Sequence, residues 1–126
     1  MAQSYRQLIA WQKAMDLVED VYRVTRAFPS DERFELTSQM RRCAVSIPSN
    51  IAEGHGRLTT KDFQHFLAQA RGSLHELETQ LMLAIRLTLT NSNDLKAVLA
   101  HTEEVGRILN GLLASTRERR DRKDFS

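Results

Sequence analysis

Two glutamates, Glu53 and Glu76, fall in segments of helical character with His55, His65 and His75 close by in the chain, and Cys43 is the single thiol. Carboxylates and imidazoles on facing helices are the material of a di-metal centre or of acid–base catalysis. Helical di-metal sites place a histidine three residues after a glutamate, so that both reach the same side. Here Glu53 is followed by His55 and Glu76 by Glu78, so neither pair has that spacing. His65 and His75 are ten residues apart and lie on different sides of a helix. Cys43 falls on an apolar face with no histidine in register beside it, which suits a packed thiol rather than a nucleophile. No nucleophile–base set, phosphate loop or ligand cluster emerges, so the chain reads as a non-enzyme without metal or cofactor.

Phosphate binding is the other chemistry on offer. Arg41, Arg42, Arg57, Lys61 and Arg71 gather in the middle of the sequence, and Arg117, Arg119 and Arg120 lie near its end. The net charge is only +2, and it sits in the tail 117–126, which takes 5 of the 18 basic and 3 of the 16 acidic residues; the body keeps 13 of each. One copy attracts polyanions weakly, whereas several copies repeat each patch and add their contacts. No recognition-helix, RNP or zinc-finger pattern is present, so backbone or shape binding fits better than base readout. With 6% aromatic content, much of it in apolar stripes, stacking platforms for single strands are not expected either. The rival reading is a protein–protein adaptor with incidental nucleic-acid affinity, in which Arg42 and Arg57 are spent on Glu53.

The elements that must position these groups break helix rules in two places. Ser46-Ile-Pro-Ser-Asn-Ile-Ala-Glu-Gly54 puts a proline inside a helical stretch, at a typical cost of about 3 kcal/mol. Gly72-Ser-Leu-His-Glu-Leu-Glu78 puts a glycine inside the next, at about 1 kcal/mol relative to alanine. A polar line, Arg42, Ser46, Asn50, Glu53 and Arg57, follows at steps of three and four. Its expected role is structural: Glu53 pairs with an arginine, and Ser46 and Asn50 bond groups freed by the Pro48 break. Ser73 and Glu76 follow Gly72 on the side away from that helix's main stripe.

Four helices are expected, at about 6–27, 31–53, 60–89 and 93–117. The first carries a stripe of Leu8, Trp11, Met15, Val18, Tyr22 and Thr25. Phe28-Pro29-Ser30 ends it, and Ser30 offers an N-cap with Asp31 and Glu32 in the following turn. Gly54-His55-Gly56 reads as the glycine signal that closes the second helix. Thr59-Thr-Lys-Asp62 matches a capping box for the third, whose stripe runs Phe63, Leu67, Ala70, Leu74, Leu77, Leu81, Ile85 and Thr88. Asn91-Ser-Asn-Asp94 opens the fourth, with Leu95, Leu99, Thr102, Val105, Leu109, Leu112 and Thr116, before the charged tail frays. Connections this short make neighbours antiparallel, so the expected fold is all-α, a single-domain up-down four-helix bundle over 1–126.

Helices two and three carry more apolar surface than a lone bundle buries. Leu36, Met40, Cys43, Ile47 and Ile51 share one face of helix two, with Phe34, Val45 and Ala52 roughly opposite. On helix three Gly72 lies opposite the main stripe, near Leu83 and Leu87. A helix apolar on two faces is buried on two faces, which argues for a homo-oligomer. At 126 residues one core suffices, and a lone cysteine cannot form an internal disulfide. Met1–Arg6 has no leader-like apolar stretch and no run reaches the roughly 18 residues of a membrane span, so a cytoplasmic location without membrane contact is expected.

Leu8-Ile-Ala-Trp-Gln-Lys-Ala14, Phe28-Pro29, Glu35-Leu36 with Gln39-Met-Arg-Arg42, and both rule-breaking motifs occur in order across residues 5–115. Together they resemble the bacterial four-helix-bundle family first noticed as proteins encoded within intervening sequences of 23S ribosomal RNA genes. Members are similar to the accessory proteins of diversity-generating retroelements. The resemblance implies a ring-like homopentamer, with RNA or DNA and a reverse transcriptase as partners.

A bulky side chain at Gly72 should block close approach between copies. Gly72→Leu is expected to dissociate or unfold the assembly in size-exclusion and melting measurements; an intact oligomer of unchanged melting temperature would contradict that placement.

Overall fold

The computed structural model describes residues 4–125, with side chains described through Arg119. It is all-helical, with four α-helices and, among the described residues, no strands: α1 (Ile9–Thr25), α2 (Leu36–His55), α3 (Thr60–Arg86) and α4 (Ser92–Phe125). Each helix packs on two others, in the cyclic order α1, α2, α3, α4 and back to α1. The core they enclose is aliphatic, centred on Leu17, Met40, Ile47, Ile51, Leu67, Leu74, Leu81 and Leu109.

Local chemistry sets the helix ends, and several differ from expectation. Ser4 and Gln7 form a capping box that closes a separate 3-10 turn, Tyr5–Gln7, so α1 starts only at Ile9. After Pro29 a second 3-10 turn, Ser30–Glu32, replaces the expected start of α2. The Glu32 carboxylate instead accepts from the Leu36 N–H at 3.4 Å, so the acid serves the helix terminus a turn later than the sequence suggests. Thr59 caps α3, its hydroxyl accepting from the Asp62 N–H at 3.1 Å. That helix ends before Thr88, which takes the left-handed conformation at φ 52°. The Thr88 N–H bonds the Ile85 carbonyl and the Leu89 N–H bonds the Ala84 carbonyl, both at 3.1 Å, the two bonds of a Schellman closure. With no glycine there, the sequence carries little warning of it. The tail does not fray at 117: α4 is helical to Phe125.

The first helix turns a different face inward from the one its bulkiest residues suggest. Its core face is Ala10, Ala14, Leu17, Val21 and Val24, whereas Met15 and Tyr22 are exposed and Trp11 and Val18 only half-buried. Two apolar stripes run side by side on α1, and periodicity alone does not say which is inside. The small stripe wins because alanines let α1 lie close to its neighbours. Helices two and three follow expectation: Val45, Phe34, Leu83 and Leu87 stay exposed behind well-buried core faces.

Gly54 and Pro48 also act differently from expectation. Gly54 does not close α2; it is buried inside it, and no glycine has a positive φ. A Cβ there would lie 2.6 Å from the Phe66 Cβ and 3.1 Å from the Phe63 ring, so glycine is what lets α3 approach. Nor does Pro48 break the helix, which continues from Leu36 to His55. Three side chains bond carbonyls around it: Ser46 to Cys43 at 2.6 Å, Ser49 to Val45 at 2.8 Å, and Asn50 to Ser46 at 2.8 Å. These acceptors flank the Ala44 carbonyl that Pro48 deprives of its helical donor.

Alanine at position 54 gains about 1 kcal/mol of helix propensity but meets backbone-anchored carbon, where overpacking costs about 1–3 kcal/mol. Gly54→Ala is therefore expected to lower the urea midpoint; a raised midpoint would contradict the close seam.

Candidate nucleic-acid interface and assembly faces

The expected phosphate-binding residues separate once their surroundings are known. Arg41 points onto α1, where its Nε donates to the Thr25 hydroxyl at 2.9 Å and its guanidinium lies 4.6 Å over the Tyr22 ring. It is a helix-to-helix tie, half-buried and committed to neutral partners. Arg42 is exposed and has no ion-pair partner among the described residues. Arg57 pairs with Glu53 at 2.8 Å and stacks 4.7 Å over Phe66, so that pair closes the polar line across the α2–α3 seam. Arg71 donates to the Asn110 side chain of α4 at 3.3 Å and stays exposed. Lys61, in the first turn of α3, is exposed without an ion-pair partner among the described residues. Arg117 and Arg119 are exposed on the distal part of α4, while the Arg120 side chain lies outside the described residues.

The structural motif residues other than Gly72 gather along the seam between α2 and α3. Cys43 of α2 donates to the Ser73 carbonyl of α3 at 2.9 Å, and the Glu76 carboxylate stands 3.7 Å from its sulfur. Burial first, then the Glu76 charge and hydrogen bond, push the thiol from 9.0 up to about 12. Glu53 and Glu76 do not converge, and among the described residues no three His, Cys, Asp or Glu side chains gather as metal ligands. Gly72 is exposed with nothing within 4 Å of a Cβ built on it, so the protomer itself tolerates a side chain there. That narrows the expected effect of Gly72→Leu to loss of assembly rather than unfolding.

Sequence spacing gave no sign of a polar seam between α1 and α4. His101 bonds Asp20, which also pairs with Arg23 at 2.8 Å, and Lys13 pairs with Glu104 at 3.1 Å. The partners lie on the first and last helices, and no local pattern signals such a meeting.

Two apolar surfaces remain open. Trp11, Met15 and Val18 of α1 face Val45, Pro48 and Ala52 of α2 across a concavity of about 300 Å³. On the outer side of α3, Met82, Leu83 and Leu87 are each about half exposed.

The protonated Cys43 thiol has a thiolate fraction near neutrality roughly a thousandfold below that of an unshifted one. Its contribution to stability is complete below pH 9 and declines as the pH rises toward about 12. Ellman's reagent at pH 8 is expected to react with folded protein at least a hundredfold more slowly than with urea-unfolded protein; prompt stoichiometric labelling would contradict this.

Among the described residues no helix is long and apolar enough to cross a membrane. No curated protein matches the sequence. A crystal structure of a protein of unknown function from the S23 ribosomal protein family of Bacteroides thetaiotaomicron VPI-5482 superposes with a TM-score of 0.78. It is 20% identical, with 84% of this chain and 96% of that one covered, and shows that the two share a fold. The profile of the 23S rRNA-intervening sequence protein family matches residues 6–111, so the chain belongs to that family.

Proposed function

We propose that the chain is a non-enzymatic, cytoplasmic subunit of a ring-like homo-oligomer that holds RNA or DNA by its phosphate backbone. The observation that carries this is the pair of apolar surfaces, on α1–α2 and on α3, left open by a protein whose core is already complete. Apolar surface of this kind on a small soluble domain marks an interaction site.

Alternating helix direction, the up-down arrangement, is supported by the order of contacts. Ser73 lies by Cys43 while Phe66, earlier in α3, lies by Gly54, later in α2. Leu74 lies by Gly106 and Arg71 by Asn110, so partners on α4 rise as those on α3 fall. Extending that register brings Lys61 level with the Arg119 region of α4. Arg57, paired with Glu53, follows α2 only a few residues before Lys61, so Lys61, Arg117 and Arg119 collect beside that pair at one end of the protomer. Copies arranged around an axis parallel to the helices turn that end into a basic rim, where modest contacts add. The resemblance to retroelement accessory proteins supplies five as the copy number and a reverse transcriptase as a protein partner.

A protein adaptor is the second reading, favoured by one observation: Arg41, Arg57 and Arg71 already donate to groups within the protomer. Salt separates the two. A short structured RNA is expected to bind with an affinity that falls linearly in log–log salt plots, with a slope that loses roughly one for each phosphate contact removed. Lys61→Glu with Arg117→Glu should weaken RNA binding across sequences and flatten that slope. Absence of RNA binding at low salt, or binding indifferent to both salt and the variants, would contradict the proposal and favour the adaptor.

A further inference from the structure

We infer that the outer ridge of α3 in one copy seats in the α1–α2 groove of the next, a head-to-tail contact that rests on the assembly proposed above. The groove is concave because α2 presents the low side chains Pro48 and Ala52 between Val45 and the bulkier stripe of α1. The ridge belongs to one helix, around Met82 and Leu83. Gly72 leaves it open backbone at one end, with Leu83 exposed three turns further along.

A second copy fits better than a foreign partner because both halves lie on the same chain and match in order. An α-helix rises 1.5 Å per residue, so Glu76, Leu83 and Arg86 stand about 6, 16 and 21 Å beyond Gly72. Along the receiving face, Val18 and Val45 are followed by Arg26 about 12 Å further up α1, then by exposed Phe34 beside Asp31 and Glu35. Rotation about an axis parallel to the helices keeps α3 of one copy running in the same sense as α1 of the next. Small Gly72 then meets the valines, and Glu76 comes within reach of the long Arg26 side chain. Leu83 meets Phe34, which lies eleven residues from Val45 as Leu83 does from Gly72, and Arg86 meets the acidic pair. None of Arg26, Asp31, Glu35 and Arg86 has an ion-pair partner among the described residues of its own protomer. A foreign protein would cover one surface and leave the other open. The same contact repeated covers both and, being heterologous, closes into a ring where the rotation between copies divides a full turn.

Val45→Glu spoils the groove and Leu83→Glu spoils the ridge, and both positions are exposed enough, at 40% and 45%, for the helical fold to survive. Each variant alone is expected to lose the assembly and run as a monomer. Mixed in equal amounts, they should form a two-chain species of about twice 14.5 kDa and nothing larger, because each still carries one intact half. On a Cys43→Ser background, a short bis-maleimide should join F34C copies to L83C copies when the two are mixed and leave each variant alone unlinked, which captures a contact too weak for chromatography. Loss of assembly by only one variant, or linking of a cysteine variant to itself, would overturn the head-to-tail contact. A mixture neither paired nor linked, beside an assembled wild type, would overturn it too. A monomeric wild type would instead overturn the assembly reading from which it starts.

Discussion

The seam between α2 and α3 is the constraint on which the rest of the molecule depends. Gly54 gives up its side chain so that Phe66 and Phe63 can press against the α2 backbone. A turn and a half earlier, Pro48 forfeits a helical hydrogen bond and is surrounded by Ser46, Ser49 and Asn50, whose side chains bond nearby carbonyls. Cys43 donates to α3 across the same seam, and Glu53 with Arg57 closes its far end. Packing this close fixes the rotation of both helices about their axes. That rotation decides which residues are left outside: Val45 and Ala52 toward α1, Gly72 and Leu83 away from the core. The interior and the open surfaces are two results of one geometry.

Helical periodicity made most of this visible beforehand. The core faces of α2 and α3, the surplus apolar residues behind them, and the two rule-breaking motifs all follow from spacing. What spacing does not encode is the competition between two adequate faces on one helix. On α1 the bulky stripe of Trp11, Met15 and Tyr22 looked like the core, yet the alanine-bearing stripe packs inward because distance between helices outweighs side-chain size. Glycine roles were similarly hidden. A glycine near a helix end signals a cap, but Gly54 serves a close approach set by a partner some ten residues later, and Thr88 closes α3 where no glycine exists. The contacts of Arg41 with Thr25 and of His101 with Asp20 join distant segments and leave no local trace.

These corrections bear on function. Bringing Trp11, Met15 and Val18 to the surface converts a supposed core stripe into one wall of an open groove, which strengthens the case for assembly. Engagement of Arg41, Arg57 and Arg71 inside the protomer weakens a diffuse nucleic-acid surface and concentrates what remains at the end holding Lys61, Arg117 and Arg119. A weakly basic subunit becomes a useful polyanion binder mainly through repetition, so the functional proposal stands or falls with the oligomer.

The mass of the native chain in solution tests that dependence most directly. Light scattering behind size exclusion, across a range of protein concentrations in moderate salt, is expected to give a discrete particle, with five copies of the 14.5 kDa chain as the proposed number. A particle of 14.5 kDa at every concentration would mean that Met15, Val45 and Leu83 face water in the working protein, contradicting the account at its centre.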